Sequence, residues 1–373
     1  MNNMIPVYQP YLPKESFKYV YEALDSGWIS SLGKYKNIAS AKLSKLLNID
    51  NVLLLSNGTV ATHLIIKALR YKHPHITRII VPNNVYVAVW NSIFFDCEKC
   101  FEICPLDADI NTWNANYEDA EKYYTIDENT AFLVAHNLGN IVNVPQLKRK
   151  YKNSVFIEDN CEGIFGTYEG FASGTQSFCS SLSFFGNKNI TCGEGGAFIC
   201  DDNETFEYIK HIHSQAQTEK KFIHDEVGYN YRMTNIHAAI LLGQLEIYDE
   251  VRMMKKNIFD CYVKHLSNYD RICFQTCEKN IMHSNWMFGI RIKDLQNYEY
   301  INKFMLTKGI ETRPMFYPID EHKHLKQIPC ENLNVARMLN RECVILPSYP
   351  KLQSTEIEYI CNNIIKFIVS NKI

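Results

Sequence analysis

Short apolar runs alternate with amphipathic segments over the first two-thirds of the chain. The apolar runs are of β-type composition and predict strands at residues 52–55, 78–81, 132–136, 155–158, 182–185 and 197–200. Between the first two runs, apolar residues recur at helical spacing and predict a helix over residues 59–70. Repeated alternation of strand and helix favours a mostly parallel sheet that is covered by helices on both faces.

The pattern changes near residue 250. Thr234 is placed to cap a helix that continues to about residue 251. Beyond that helix, the sequence predicts strands at residues 271–275 and 286–292 and helices at 298–308 and 355–369. No internal repeat, low-complexity segment or Gly/Ser linker separates the two parts. We therefore expect an α/β fold with a large domain over residues 1–249, packed against a smaller C-terminal α+β domain over residues 250–373.

Composition and charge narrow the functional classes. The 373 residues are 46% hydrophobic and 21% charged, which is ordinary for a soluble globular protein. A net charge of −2 gives no support for nucleic acid or an anionic membrane as a partner. The first residues lack the basic and apolar regions of a signal peptide, and no apolar run approaches the roughly 18 residues of a membrane span. These features predict a cytoplasmic protein.

Thirteen cysteines raise the question of a metal site. Cys97 and Cys100, with Cys104 nearby, are the best candidates for ligands. A structural zinc site needs four ligands, usually from two such pairs. The other close pair, Cys273 and Cys277, is distant in sequence and differently spaced. We therefore predict reduced thiols and no metal.

The most informative segment surrounds Lys188. This lysine lies between a small polar run and a turn with three glycines at 193–196. Upstream, an apolar strand ends in Glu158 and Asp159, which emerge from the core and need partners. A lysine that can form a Schiff base, together with an acid at a strand end that can pair with a pyridinium nitrogen, indicates pyridoxal 5′-phosphate (PLP) chemistry.

The turn Ser56-Asn57-Gly58-Thr59 follows a predicted strand and opens a predicted helix. Glycine lets the backbone approach an anion, and the helix amides and the Thr59 hydroxyl can donate to phosphate. Taken alone, the turn is more simply interpreted as a capped connection. However, ligands of such sheets bind at the carboxyl ends of strands, where both this turn and Asp159 are expected.

The chain resembles the PLP-dependent nucleotide-sugar aminotransferases of the DegT type, a branch of the aspartate aminotransferase fold (fold type I). The resemblance runs almost from end to end. It is carried by Gly27-Trp28-Ile29-Ser30-Ser31, Ser56-Asn57-Gly58-Thr59, Ile157-Glu158-Asp159, Ser183-Phe184-Phe185-Gly186-Asn187-Lys188, Gly193-Glu194-Gly195-Gly196, Tyr229-Asn230-Tyr231-Arg232-Met233-Thr234, Trp286-Met287-Phe288, Thr312-Arg313-Pro314 and Leu346-Pro347-Ser348-Tyr349-Pro350. The segment around Lys188 is most similar to enzymes that aminate C-4 of 4-keto-6-deoxyhexoses, such as perosamine and viosamine synthases.

The resemblance implies a role for each residue that matches a family position. Lys188 carries the cofactor as a Schiff base, and Asp159 pairs with the pyridine nitrogen. Tyr86 stacks on the cofactor ring, and Glu162 lies against its other face. The implied phosphate contacts are Gly58, Thr59, Ser183 and, from a neighbouring subunit, Asn230. The last of these implies an obligate homodimer with shared active sites.

Substrate contacts are less sharply indicated. Arg313, beside Pro314, is a candidate to pair with an anionic nucleotide sugar, with Tyr317 as a second candidate. A surface ion pair is the alternative for Arg313. His136 ends an apolar strand and matches a family position, but a structural histidine is an equal alternative.

Two positions depart from the commonest family pattern. Val85 stands where many members have Thr, and Glu162 where many have His or Gln. The Glu162 carboxylate would add a negative charge near the cofactor ring, where His or Gln would not. A dehydratase branch of the family replaces the lysine by His, and the presence of Lys188 disfavours that branch.

The expected function is transfer of an amino group from L-glutamate to C-4 of a nucleotide-linked 4-keto-6-deoxyhexose. Two alternatives stay open: amination at C-3 or of another keto sugar, and a non-catalytic PLP-fold regulatory protein.

Overall fold

The computed structural model describes residues 4–95, 101–330 and 333–370. The strands in chain order are β1 Val52–Leu55, β2 Arg78–Pro82, β3 Glu102–Leu106, β4 Thr130–Ala135, β5 Val155–Asp159, β6 Thr167–Tyr168, β7 Phe171–Ala172, β8 Cys179–Ser183, β9 Gly196–Cys200, β10 Ile272–Phe274, β11 Ile281–Met282, β12 Phe288–Ile292, β13 Arg313–Pro314 and β14 Cys343–Leu346. The α-helices are α1 Lys14–Asp25, α2 Lys34–Leu47, α3 Gly58–Lys72, α4 Ala88–Phe94, α5 Val144–Lys150, α6 Asn203–Ile212, α7 Asn235–Glu246, α8 Tyr248–Leu266, α9 Tyr298–Thr307, α10 Asn334–Glu342 and α11 Ser354–Ser370. Short 3₁₀ turns occupy Tyr117–Lys122, Asn137–Gly139, Ile319–Glu321 and Lys323–Leu325.

A seven-stranded sheet in the order β1-β9-β8-β5-β4-β2-β3 forms the centre of the fold. The five strands from β8 to β3 run parallel, and β9 runs antiparallel to both of its neighbours. Alternate residues of β4 pack on opposite faces: Leu133 joins one apolar cluster, and Phe132 and Val134 join another. The sheet is therefore buried on both faces, and the predicted α/β fold with a mostly parallel sheet is confirmed.

The strand predicted at residues 182–185 is displaced, because β8 spans Cys179–Ser183. Two serines inside β8 are fully buried and hydrogen-bonded, Ser180 to the Gly174 carbonyl and Ser181 to Thr62. Hydropathy alone does not recognise a buried strand built from small polar residues. Phe185 follows the strand and is 48% exposed. The chain has by then turned into the loop that carries the lysine.

The helix predicted from Thr234 to about residue 251 is two helices. Its start is confirmed, since the Thr234 hydroxyl accepts a hydrogen bond from the His237 amide at 3.3 Å. The helical backbone is interrupted at Ile247, where φ is −103° and ψ is 21°. The following helix, α8, continues to Leu266 and leads into the C-terminal part of the chain.

The C-terminal part is built on an antiparallel sheet in the order β10-β12-β14-β13. β-Pairing also joins it to the rest of the chain: β11 pairs with β6, and Ile5 forms a β-bridge with Ile310. The N-terminal segment thus pairs with the C-terminal part. A division into domains at residues 249 and 250 remains a prediction.

Candidate active site

A cavity of about 870 Å³ opens where β4, β5 and β8 end. Residues 286–287 and 313–317 of the C-terminal part close its other side. All the candidate site residues predicted from the sequence line this cavity except Asn230. Those that do are Gly58, Thr59, Tyr86, Asp159, Glu162, Ser183, Lys188, Arg313 and Tyr317.

The turn between β1 and α3 has the geometry of a phosphate site. Asn57 caps α3 by accepting the Val60 amide at 3.0 Å, while the first amides of the helix have no intrahelical acceptor. Gly58 lies against Ser183, and a Cβ at Gly58 would fall 2.7 Å from the Ser183 Cβ. Only glycine fits this contact. The close contact at Gly58 therefore brings the N-terminus of α3 and the Ser183 hydroxyl to the same wall of the cavity. Hydrogen-bond donors grouped in this way suit a phosphate ester.

Asp159 ends β5 and is buried, with 8% of the residue exposed. One oxygen accepts the Cys161 amide at 3.0 Å, and the other lies 3.5 Å from the Thr62 hydroxyl. Within the described part of the chain, this carboxylate makes no salt bridge with a cationic side chain. A buried carboxylate that faces a cavity without a counter-ion suits a pyridinium nitrogen.

Lys188 lies across the cavity on the loop that follows β8. Its side chain is 12% exposed. The Nζ atom is 3.9 Å from the Glu162 Oε1 atom and 3.9 Å from the centre of a Trp286 ring. The Tyr8 hydroxyl donates to the Lys188 carbonyl at 2.8 Å. Sequence motifs indicated neither Tyr8 nor the contact with Trp286, because both approach from distant segments.

Among the described residues, Glu162 is the buried acid whose carboxylate pairs with the Lys188 amine, at 3.9 Å. Burial raises the pKa of Glu162 to about 7, and it outweighs the opposing effects of the Lys188 charge and of a hydrogen bond from the Leu138 amide. The Leu138 amide donates to the Glu162 Oε2 atom at 2.8 Å. Leu138 has a φ of 56°, which is a backbone conformation unfavourable for leucine. Glu162 therefore changes its charge close to neutral pH.

The second acid at the end of β5 has a different partner. Glu158 projects to the opposite face from Asp159 and accepts a hydrogen bond from the His136 Nε2 atom at 2.9 Å. The other ring nitrogen of His136 accepts the Val142 amide at 3.1 Å. Burial pushes the pKa of Glu158 up, but the histidine bond and further hydrogen bonds leave it below its usual value. Since both ring nitrogens are engaged, the structural interpretation of His136 is favoured, although the residue also borders the cavity.

Three of the remaining candidates, Tyr86, Arg313 and Tyr317, lie at the mouth of the cavity. Tyr86 is 59% exposed and Tyr317 is 47% exposed. The Arg313 guanidinium is 3.9 Å from the Glu311 carboxylate, a loose pair that leaves donors available to a ligand. Asn230 is exposed outside the cavity and forms a β-bridge with Ser214. Its role in a shared site remains a prediction that needs a second subunit.

No group of three or more His, Cys, Asp or Glu side chains within residues 4–95, 101–330 and 333–370 could hold a metal ion. Cys97 and Cys100 lie outside these ranges. Across the same ranges, no helix combines the length and apolar character needed to cross a membrane.

Comparison with known proteins places these features in a family. The profile of the DegT/DnrJ/EryC1/StrS aminotransferase family matches residues 10–365. The GDP-perosamine synthase of Escherichia coli O157:H7 is 34% identical over 369 residues, which cover 97% of this chain and 98% of that protein. The GDP-perosamine synthase of Vibrio cholerae is 32% identical over 96% of this chain and 98% of that protein.

Solved structures agree with this assignment at the level of the fold. Helicobacter pylori PseC, an aminotransferase of pseudoaminic acid biosynthesis, superposes with a TM-score of 0.91 at 21% identity, over 99% of this chain and all of that one. A lysine, a buried carboxylate and a helix N-terminus around one cavity meet the needs of PLP. The chain therefore belongs to the DegT/DnrJ/EryC1/StrS aminotransferase family, and it is a PLP-dependent sugar aminotransferase.

Proposed function

We propose that this protein transfers the amino group of L-glutamate to C-4 of a nucleotide-linked 4-keto-6-deoxyhexose and yields a 4-amino-4,6-dideoxy sugar nucleotide. The observation that carries the proposal is the 34% identity, over nearly the whole chain, to a protein named GDP-perosamine synthase. GDP-4-keto-6-deoxymannose is accordingly the first acceptor to test.

The residues around the cavity suit this reaction. When bound, PLP supplies an electron sink for the carbon that loses a proton. Asp159 is placed to hold the pyridine nitrogen in its protonated form. Gly58, Thr59 and Ser183 are placed to bind the phosphate. Each of these residues lines the cavity.

Lys188 is the group that moves protons. Its amine would take a proton from the α-carbon of the amino-acid donor as general base and would then give one up as general acid. The same atom acts in the opposite direction on the sugar. Glu162, 3.9 Å away and with a pKa of about 7, tunes the charge that surrounds this amine.

We also propose that the enzyme is a homodimer in which Asn230 reaches the cofactor phosphate of the neighbouring subunit. Asn230 is exposed and lies outside the cavity of its own chain. A second subunit is therefore required for it to act on a cofactor.

Two alternatives have less support. A relative from Aneurinibacillus thermoaerophilus, named dTDP-3-amino-3,6-dideoxy-alpha-D-galactopyranose transaminase, is 26% identical over 93% of this chain. This identity is lower than that of the GDP-perosamine synthases, which favours C-4 over C-3. A non-catalytic role leaves the convergence of Lys188 and Asp159 on one cavity without a purpose.

The test is turnover with defined substrates. Purified protein with PLP and L-glutamate is offered GDP-4-keto-6-deoxymannose, dTDP-4-keto-6-deoxyglucose and a nucleotide-linked 3-keto sugar. We expect equimolar 2-oxoglutarate and amino sugar with a 4-keto acceptor, the amine being located by NMR. Lys188→Ala protein is the control. Product from the 3-keto sugar alone, or no product with any acceptor, contradicts the proposal.

A further inference from the structure

Lys255 is a lysine in the interior of the molecule, and the reaction described above gives it no role. It lies on α8 and is fully buried. Its Nζ atom donates to the Trp286 carbonyl at 2.7 Å and also to the Ser348 carbonyl. Full burial of a lysine is uncommon, because the charge is costly to remove from water. The structure must therefore compensate for placing an amine here.

The two carbonyls provide that compensation. Burial lowers the pKa of Lys255 well below its ordinary value, and among the described residues no carboxylate pairs with the amine to oppose this shift. A neutral amine has two N–H donors, and Lys255 has two carbonyl acceptors. Trp286 and Ser348 are themselves buried and lie outside the strands. Lys255 therefore supplies donors to carbonyls that belong to irregular segments.

Trp286 extends this contact to the cavity. Its indole N–H donates to the Asn187 carbonyl at 2.8 Å. The centre of a Trp286 ring lies 3.9 Å from the Lys188 Nζ atom. Lys255 thus fixes the backbone of a residue whose side chain contacts both the lysine loop and the amine that moves protons.

A second path runs through the N-terminal segment. The Lys255 Nζ atom lies 5.2 Å from the centre of the Tyr8 ring, and the Tyr8 hydroxyl donates to the Lys188 carbonyl at 2.8 Å. The neighbouring Val7 carbonyl accepts the Ser348 amide at 3.1 Å. One of the two residues held by Lys255 therefore also pairs with the segment that carries Tyr8. Both paths start at one buried amine and end at Lys188.

We propose that Lys255 is a positioning residue that holds the Lys188 amine in its place in the cavity, through Trp286 and Tyr8. The proposal rests on the proton transfers assigned to Lys188 in the proposed function, and it adds the buried group that fixes where they occur. Lys255 does not line the cavity, so it acts on the reaction only through these neighbours.

Two substitutions on α8 separate this role from a general contribution to stability. Lys255→Met keeps an apolar chain of similar length and removes both donors. The matched control is Tyr262→Phe, which removes the hydrogen bond from a fully buried hydroxyl to the Pro347 carbonyl at 2.9 Å. Both changes leave a carbonyl without its donor and should lower the melting temperature. Pro347 belongs to neither path, so only Lys255→Met should displace the Lys188 amine.

The reactivity of Lys188 in the cofactor-free protein reports the position of its amine without any turnover. Its side chain is 12% exposed, so brief treatment with acetic anhydride and peptide mass mapping should show slow labelling in the wild type. Lys255→Met should raise the labelling of Lys188 severalfold relative to the exposed Lys45, and Tyr262→Phe should not. Equal labelling of Lys188 in folded Lys255→Met and wild-type proteins would overturn the proposal.

Kinetics give a second readout. Lys255→Met should lower kcat on the order of tenfold and leave KM for L-glutamate and for the nucleotide sugar within about twofold, since a small displacement of a reacting group is costly. The kinetic isotope effect with α-deuterated L-glutamate should increase, because proton transfer by a displaced amine limits the rate more strongly. A raised KM with an unchanged kcat would indicate a distorted cavity and would contradict the proposal.

Trp286→Phe tests the path itself and also serves if Lys255→Met does not fold. Phenylalanine keeps the backbone carbonyl and an aromatic ring, and it removes the indole N–H that donates to Asn187. This variant should also raise the labelling of Lys188. The double variant should show less than the sum of the two free-energy effects, because residues on one path are coupled. Unchanged labelling in Trp286→Phe, or additive effects in the double variant, would overturn the proposal.

Failure of the positioning role is distinguishable from failure of the proposed function. If the wild type converts no keto sugar, the proposed function fails, while the labelling of Lys188 still tests the role of Lys255. An active wild type, alongside Lys255→Met protein with unchanged labelling and unchanged kcat, refutes the positioning role alone.

Discussion

The charge of Glu162 should make the stability of the cofactor-free protein depend on pH near neutrality. The residue is 9% exposed, and its burial raises its pKa to about 7 from an ordinary 4.5. The folded chain therefore binds this proton more tightly than the unfolded chain does. The stabilisation is fully present below pH 4.5 and is lost as the pH rises through 7. Glu162→Gln removes the titration and keeps the shape of the side chain.

The size of the effect follows from the two pKa values. Between pH 5 and pH 8, loss of the preferential protonation of Glu162 lowers the free energy of unfolding by roughly 2.5 kcal/mol. The glutamine variant should lack this part of the pH dependence. Other groups also titrate in the interval, but they are present in both proteins and cancel in the difference.

The assay is urea unfolding of both proteins at pH 5, 6, 7 and 8, followed by tryptophan fluorescence. Glu128→Gln, at an exposed position, is the control for loss of a carboxylate without burial. We expect the wild type to lose stability relative to Glu162→Gln as the pH rises, and Glu128→Gln to follow the wild type. Parallel pH profiles for wild type and Glu162→Gln would show that Glu162 ionises normally and would refute the reasoning.

Four further outcomes are expected. Borohydride reduction of the PLP-loaded protein should label Lys188 in peptide maps, and Lys188→Ala should abolish transamination; a label on another lysine contradicts the assignment. Asp159→Asn should raise the activation barrier by about 2–4 kcal/mol while the melting temperature changes little, and near-wild-type kinetics would dismiss its role. Gly58→Ala should weaken PLP binding in a fluorescence titration, because the new Cβ would fall 2.7 Å from the Ser183 Cβ; unchanged affinity would mean that the turn can relax. Mixed Asn230→Ala and Lys188→Ala subunits should recover activity above the sum of the separate proteins, and no recovery after verified exchange would place each site within one chain.

Hydrophobic periodicity predicted the elements whose buried positions are apolar. The strand at Val52–Leu55 and the helix at Tyr298–Thr307 lie within a residue of their predicted bounds, because burial on both faces or along one stripe leaves a clear pattern. Prediction was wrong where the interior is polar. β8 begins at Cys179 with two buried serines whose hydroxyls bond to neighbouring groups, and hydropathy does not record such bonds.

The candidate site was likewise predictable only in part. Asp159 could be predicted because it is an acid at the end of an apolar strand, and Lys188 because it lies between a small polar run and a turn with three glycines. The partnership of Glu158 with His136 could not, since alternation along β5 turns adjacent acids to opposite faces and only the structure shows what each one meets. Tyr8 and Lys188 are 180 positions apart in the sequence, and no local pattern encodes their contact.

Three consecutive residues of the lysine loop are held by segments outside the central sheet. The Asn187 carbonyl accepts the Trp286 indole N–H at 2.8 Å, the Lys188 carbonyl accepts the Tyr8 hydroxyl at 2.8 Å, and the Asn189 amide group donates to the Ser284 carbonyl at 2.8 Å. The loop starts at the end of β8 in the central sheet. The residues that hold it, however, belong to the N-terminal segment (Tyr8) and to the C-terminal part (Ser284 and Trp286). A shift of either anchor therefore moves the amine relative to Asp159, which is fixed in the sheet. General base catalysis depends on such distances, and the packing between the two parts is consequently a determinant of activity as well as of stability.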